Sequence, residues 1–291
     1  MRFGLPPSDT RLEKAFGEKR KKEILVKAHE KAKDVFDEED VISPDQFGHF
    51  DPAMIARDMK FVKEREKMFA EGETDDSKQR RIAAEVLEAI IIEQTELANW
   101  LGESVSTVRA SRYDDIANGV DTIAEFAQEM STAYLALAID ATYGDPSEKL
   151  ARIQKEIARG SLTQVKYFKS SDGTYVGSLQ KIPRVVVGVS QEQIVELATL
   201  WVSGKKDELA THPVQLQIIE EIMMQLRAFM AYAEKLGKTD IVEIYQRQLR
   251  LIESIQQSPE KQKIAKFHGT RDFRATDRVF DGLVVGLRTF T

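Results

Sequence analysis

The chain has 291 residues, of which 42% are hydrophobic and 31% are charged, and its formal net charge is −6. This composition is that of a globular protein with a sizeable core, and it excludes a disordered chain. The negative charge argues against a sequence-independent nucleic-acid coat protein, although it is compatible with a nuclease that has local basic patches. Cysteine is absent, which excludes disulfides, thiolate metal sites and cysteine nucleophiles.

Neither a membrane span nor a signal peptide is predicted. No apolar run approaches the roughly 20 residues of a membrane helix, and the N-terminus lacks the charged-then-apolar pattern of a secretory signal. We therefore expect a cytoplasmic protein without a membrane partner. Zinc is not expected, because the four histidines do not pair at ligand spacing.

Residues 1–78 are predicted to form a helical accessory region. Lys and Glu at helical spacing predict a helix over residues 11–40. Pro52 in a first helical turn, with Asp51 as its N-cap, predicts a second helix that ends near residue 70. The polar tract that follows, residues 71–78, is the predicted linker.

Residues 79–190 are predicted to form an α/β core. It begins with a long helix over residues 81–101, which has one apolar face and a predicted end at Gly102. Glu93 falls on that apolar face, where a charge is costly unless it is paired or faces a polar cleft. Alternating β-branched and polar residues then predict a strand over residues 105–113.

A hairpin is predicted next. The tract from Asp114 to Gly119 reads as its turn, because Asn-Gly readily adopts positive φ. Residues 120–126 form the returning strand, and the apolar run 133–142 fits a central strand buried on both faces. Asp114 is interpreted as a turn former, whereas for Asp115 turn formation and metal binding are equally favoured.

A helix over residues 147–159 and two strands, at 162–168 and 184–189, complete the predicted core. A helix inserted between strands implies a parallel crossover. Residues 191–265 are predicted to form a C-terminal helical region. The basic and aromatic tail 266–291 has three open interpretations: a phosphate-contacting arm, a docking strand or a loosely ordered tail.

Two aspartates lie at the ends of neighbouring predicted strands. Asp121 opens the strand after the turn, and Asp140 ends the next strand. The start of one strand and the end of its antiparallel neighbour share a sheet edge, which Asp115 also approaches and Glu93 can reach from the packed helix. Gathered carboxylates repel unless a cation neutralises them, and oxygen ligands favour Mg²⁺ or Mn²⁺. The sequence thus predicts a divalent-metal site, whose natural chemistry is phosphodiester hydrolysis.

The element order, together with the tracts GVD at 119–121 and IDAT at 139–142, resembles the PD-(D/E)xK, or restriction-endonuclease-like, nuclease superfamily. The resemblance covers about residues 81–189. It implies an α/β fold with a mixed sheet in the order helix, three strands, helix and strand, here with helical additions at both ends.

The resemblance also implies roles for three acidic residues and a substrate. Asp121 corresponds to the first aspartate of the family and Asp140 to the acidic residue of its (D/E)xK element, while Glu93 matches an acidic residue that some members carry on the first helix. In the family these carboxylates hold Mg²⁺. The implied partner is DNA, and a homodimer is expected by analogy with enzymes that cut two strands.

The sequence departs from the family pattern at the lysine. Thr142 stands two positions after Asp140, where the family has the lysine that orients or activates the attacking water. Two other lysines are candidates: Lys149 in the first turn of the following helix, and Lys166 in the following strand. Lys166 is slightly preferred, because a strand fixes a side chain over the sheet edge better than a helix end does.

Two further functions remain open from the sequence. The missing lysine, the acidic net charge and the large helical share favour a catalytically inactive structural or oligomeric interaction protein with the same fold. A small-molecule phosphohydrolase that uses the acidic cluster is a weaker interpretation. Glycine-rich phosphate loops and a G-x-S-x-G elbow are absent from the sequence, so neither nucleotide binding of those types nor serine hydrolase chemistry is indicated.

Overall fold

The computed structural model describes residues 10–38, 42–127, 132–139, 146–268 and 277–291. Within these ranges the chain is a mixed α/β protein, mostly helical, with two small sheets. The helices are α1 (Thr10–Glu38), α2 (Pro52–Gly72), α3 (Asp75–Ala98), α4 (Arg112–Asn118), α5 (Ser147–Ala158), α6 (Gln191–Val202), α7 (Lys206–Ala210), α8 (Val214–Lys235), α9 (Thr239–Gln256), α10 (Pro259–His268) and α11 (Arg278–Leu287). The strands are β1 (Val105–Arg109), β2 (Thr122–Ala127), β3 (Thr132–Ile139), β4 (Thr163–Lys169), β5 (Val176–Ile182) and β6 (Arg184–Val187).

The larger sheet has the strand order β1-β2-β3-β6. Its first three strands are antiparallel neighbours, and β6 pairs with β3 in parallel. The predicted parallel crossover is therefore confirmed for β6. In the β2–β3 register Thr122 lies opposite Leu137, so the start of β2 and the end of β3 share one sheet edge, as the sequence predicted.

The two strands of the predicted hairpin between residues 105 and 126 do pair antiparallel, but the predicted turn between them is wrong. Strand β1 ends at Arg109, and α4 replaces both the rest of the predicted strand and the Asn-Gly turn. Ser111 caps α4 by accepting a hydrogen bond from the Asp114 amide at 3.1 Å, and Gly119 ends the helix at φ 64°. The physical reason is that the Asn-Gly signal also fits a helix end followed by a left-handed glycine.

The predicted strand at residues 162–168 does not join the main sheet. It forms β4, which pairs antiparallel with β5 in a separate two-stranded sheet. Strand β5 was not predicted, because its exposed and buried residues alternate irregularly. The turn between β4 and β5 contains Gly173, which has φ 70°.

Helix α1 confirms the first predicted helix and packs on α3 and α6. Its buried side chains belong to the main hydrophobic core; they are Leu25, Ala28, Ala32 and Phe36. The predicted linker 71–78 is shorter than expected, because α3 already begins at Asp75 with Thr74 as its N-cap. Helix α3 ends at Ala98 rather than near Gly102, since Asn99 adopts the left-handed conformation at φ 52°.

Helix α2 begins as predicted. Its N-cap Asp51 accepts a hydrogen bond from the Ala53 amide at 3.0 Å, and Pro52 occupies the first helical position. None of the residues of α2 is buried. The helix therefore lies on the surface, beside α4.

The C-terminal helices α6, α8 and α9 confirm the predicted helical region. Helix α8 packs on β6, where the Gln225 side chain bonds the Val186 amide at 2.8 Å and its carbonyl at 2.7 Å. Part of the predicted tail forms α11, which packs on α5 and α8, while residues 269–276 lie outside the described ranges. No helix in the described ranges is long and apolar enough to cross a membrane.

Candidate active site

An open pocket of about 660 Å³ lies where α2, α3 and α4 meet the ends of β1 and β2. We call it the carboxylate–arginine pocket, because charged side chains dominate its lining. The carboxylates are Glu66, Glu73, Glu85, Glu88, Asp115 and Asp121, and the guanidiniums are Arg81, Arg109 and Arg112. Phe69, Ala70 and Ala84 complete the lining.

Glu88 is the most buried carboxylate of this pocket, with 6% of its surface exposed. Its Oε1 accepts hydrogen bonds from Thr122 Oγ1 at 3.1 Å and from Arg109 Nε at 3.3 Å. Burial raises the pKa of Glu88 to about 8, and the negative charges of Asp121 and Asp115 add to this effect, whereas Arg109 and Thr122 oppose it. A bound cation would offset the same burial and repulsion, so this carboxyl suits a cation site.

The sequence offered a signal for Glu88 that was not used. It is a single acidic residue inside the apolar run from Val86 to Ile92, and its neighbours on both sides are buried. A carboxylate enclosed by apolar residues on a long helix must be paired or face a polar cleft. The cost of burying an unpaired charge, expected at Glu93, therefore applies to Glu88 as well.

Asp121 lies one residue before β2 rather than inside the strand that it was predicted to open, and it lines the pocket. Its carbonyl accepts a hydrogen bond from the Ala110 amide at 2.9 Å, which fixes the backbone where β1 and β2 separate. Its charge contributes to the raised pKa of Glu88. The structure thus brings together two carboxylates from different elements, one of which was predicted.

Asp114 and Asp115 have different surroundings. Asp114 is fully buried and accepts hydrogen bonds from Asn118 Nδ2 at 2.6 Å, from the Lys166 amide at 2.7 Å and from the Tyr167 amide at 3.0 Å. It ties α4 to β4, and burial raises its pKa although these hydrogen bonds oppose the effect. Asp115 instead faces the pocket, where Arg112 donates to its Oδ2.

Glu93 does not line the carboxylate–arginine pocket. It lies five positions after Glu88, a rotation of about 140° around an α-helix, so the two carboxylates leave different sides of α3. Trp201 Nε1 donates to Glu93 Oε2 at 2.5 Å, and Lys31 Nζ lies 3.7 Å from its Oε1. The sequence mapping of Glu93 onto the acidic site is therefore corrected: its charge is paired between α1, α3 and α6.

The preferred lysine, Lys166, is also engaged elsewhere. Its amine bonds the Asp58 carboxylate of α2, to which Tyr167 also donates at 2.6 Å. Strand β4 belongs to the separate sheet, which explains why Lys166 does not line the pocket. The other candidate, Lys149, lies half-buried in the first turn of α5. Asp140 lies outside the described residues, so its predicted role stays a prediction.

The arginines of the pocket were not predicted. Arg109 ends β1, and its guanidinium carbon lies 3.8 Å from the ring centre of Phe36 while its Nε bonds Glu88. Arg81 of α3 and Arg112 of α4 lie at the rim, each half-exposed. A planar guanidinium bonds two oxygens of a phosphate at once, so this rim can bind a phosphorylated ligand.

The donor set for a metal ion is incomplete among the described residues. They contain no group of three or more histidine or acidic side chains arranged to hold a metal. Glu88 and Asp121 provide two carboxylates from neighbouring elements, while Asp115 is bonded to Arg112. A Mg²⁺ ion usually takes one or two carboxylates from a protein and keeps several waters, so two carboxylates in one pocket are compatible with this ion.

Fold and pocket together define a mixed α/β protein with a charged pocket at the edge of its larger sheet. Comparisons with protein-family models, with curated proteins and with solved structures found no match. The function of this chain is therefore argued from the chemistry of the pocket itself.

Proposed function

We propose that this chain is a divergent restriction-endonuclease-like protein that hydrolyses phosphodiester bonds of DNA with the help of Mg²⁺ or Mn²⁺. One observation carries the proposal. The buried carboxyl of Glu88, whose pKa is raised to about 8, shares an open pocket with Asp121 and three arginines. Carboxylates and guanidiniums side by side suit a metal ion and a phosphate that bind together.

The order of elements supports the proposal. Helix α3 is followed by the antiparallel strands β1, β2 and β3, with α4 inserted between β1 and β2. Then come α5, the separate β4–β5 pair and β6, which pairs in parallel with β3. Apart from α4 and the β4–β5 pair, this is the order that the resemblance implies. On the revised mapping Glu88 replaces Glu93 as the acidic residue of the first helix.

Each residue has a chemical part in the proposal. Glu88 and Asp121 would hold the ion, joined by Asp140 if the resemblance holds there. Arg81 and Arg112 would bind and orient the phosphate, and Arg109 would balance the charge of Glu88. A divalent ion bound by carboxylates polarises a phosphoryl oxygen and lowers the pKa of a bound water.

Cleavage of a labelled DNA duplex and a labelled single strand, with Mg²⁺ and with EDTA, tests the proposal. We expect Glu88→Gln and Asp121→Asn each to lower the Mg²⁺-dependent rate by about 10²-fold or more, because each removes charge from the metal site. The matched control is Glu93→Gln, the same change on the same helix but at a carboxylate bonded to Trp201. Unchanged cleavage in both pocket variants would refute this site.

A catalytically inactive relative with a structural or oligomeric role is the second candidate. Arg109 already bonds Glu88, and the described residues that line the pocket include no lysine. A paired carboxylate without a lysine neighbour is compatible with a fold that has lost catalysis. Absence of cleavage, absence of Mn²⁺ binding by calorimetry and a stable homodimer in sedimentation would together favour this function.

A further inference from the structure

Helix α2 covers one side of the carboxylate–arginine pocket although it is only lightly held. Its N-terminal half is anchored, because Asp58 bonds Lys166 and Tyr167. Its C-terminal half is different: Met68 and Phe69 are 58% and 54% exposed, and none of the residues of α2 is buried. Little apolar burial therefore opposes a displacement of this half.

Two carboxylates hold the C-terminal end of α2 against the pocket. Glu66 Oε1 accepts from Arg112 Nε at 2.9 Å, and Glu73, the residue after the helix, accepts from Arg81 Nε at 3.0 Å. These ion pairs are half-exposed to solvent, where such pairs contribute little to stability. A ligand with several negative charges can compete for both guanidiniums.

Both arginines have a second partner that does not depend on α2. Arg112 also bonds Asp115 within α4, and Arg81 Nη1 donates to Glu85 Oε1 within α3 at 3.0 Å. Displacement of α2 would leave each guanidinium tethered to its own helix. Arginines held in this way lose less side-chain freedom when they bind a phosphate.

With α2 in place, the negative charge of the pocket disfavours an anionic ligand. Six carboxylates face three guanidiniums, and α2 with its following residue supplies two of the six, Glu66 and Glu73. Their departure would bring the pocket close to charge balance. A cation held at Glu88 and Asp121 would then make the pocket attractive to phosphate.

From these observations we propose that the C-terminal half of α2 is a displaceable cover. Glu66 and Glu73 occupy the guanidiniums of Arg112 and Arg81, and the backbone phosphates of DNA displace them. The inference rests on the proposed function only in taking DNA as the ligand. It requires neither catalysis nor a metal ion.

Binding of a fluorescent single-stranded oligonucleotide, measured by anisotropy in EDTA at low salt, tests the cover in the full chain. We expect the double variant Glu66→Gln/Glu73→Gln to bind roughly 5–10-fold tighter than the unaltered protein, with a gain that shrinks as salt rises. The control is Glu64→Gln/Glu71→Gln. It makes the same charge change near the same helix end, but Glu64 and Glu71 pair with Lys60 and Lys67 of α2 itself.

An equal gain in affinity in both double variants would overturn the proposal, because the change in net charge alone would then explain the gain. The proposal would also be overturned if neither double variant bound more tightly. Adding Arg81→Gln and Arg112→Gln to the first variant should abolish the gain; a gain that persists would place the oligonucleotide elsewhere.

Hydrogen exchange of the unaltered protein gives a second measurement. Amides of residues 61–72 should exchange faster with oligonucleotide present, and unchanged exchange contradicts a displaced cover. Because EDTA prevents metal-dependent cleavage, failure here is distinguishable from failure of the nuclease proposal.

Discussion

Two buried glutamates, Glu88 and Glu221, lie in regions of opposite character. Burial raises the pKa of each to about 8. Glu88 opens onto the carboxylate–arginine pocket and accepts a hydrogen bond from Arg109. Glu221 is completely buried on α8, and its Oε1 accepts a hydrogen bond from Gln217 Nε2 at 3.0 Å. A raised pKa therefore does not by itself mark a functional site. Access to a ligand and neighbouring charges separate the two glutamates.

The surroundings of Glu221 form a sealed polar network. Gln217 donates to both Glu221 and Asp277, and Gln193 donates to Gln217 at 2.9 Å. Asp277 also accepts from the Ser190 amide at 3.2 Å, so the network joins α6, α8 and the start of α11. These hydrogen bonds tie three elements together inside the core. We therefore assign Glu221 to the architecture and Glu88 to the pocket.

The largest expected loss of stability follows a change in the polar network around Glu221. Asp277→Ala removes the acceptor for Gln217, for the Ser190 amide and for the Val279 and Phe280 amides that begin α11. Buried donors left without partners are costly, so we expect a loss of about 3–5 kcal/mol in the free energy of unfolding. Denaturant unfolding measures this loss. Asp281→Ala, an exposed change in the same first turn of α11, should cost less than about 1 kcal/mol.

The second expected effect concerns pH. Burial raises the pKa of Glu221 from its ordinary value of 4.5 to about 8. Between these two pH values the folded state holds a proton that the unfolded state has lost, so stability falls as pH rises through this window. Glu221→Gln removes this titration and should lose less stability than the unaltered protein between pH 5 and 9, by on the order of 1–3 kcal/mol. Parallel stability curves for the two proteins would contradict the assignment.

The smallest expected effect distinguishes the two glutamates directly. Mg²⁺ at about ten times its Kd should raise the unfolding free energy by on the order of 1 kcal/mol, because it binds only the folded state. The stabilisation should survive in Glu221→Gln and disappear in Glu88→Gln and in Asp121→Asn. Thermal unfolding with and without the ion at pH 7.5 measures it. Equal stabilisation of all the variants would place the ion outside the pocket.

Local patterns in the sequence predicted most helices and the ends of several strands. The helical region from residue 191 and the N-cap Asp51 follow from spacing and capping chemistry that act within a few residues. The prediction failed where one sequence signal is compatible with two local structures. Asn118-Gly119 serves a hairpin or a helix end equally well, and packing of α4 on α2 and β4 accompanies the helix end here.

The edge that the start of β2 shares with the end of β3 was predicted from the sequence alone, because the two strands are neighbours along the chain. The position of Asp121 was predicted to within one residue. Tertiary structure decided which glutamate of α3 joins Asp121. A rotation of about 140° separates Glu88 from Glu93, and only packed neighbours show which side of a helix faces a pocket. Tertiary structure also paired Lys166 with Asp58 and placed Arg81 and Arg112 opposite α2. Lys166 and Asp58, and likewise Arg112 and Glu66, are distant along the chain, so no local pattern encodes their meeting.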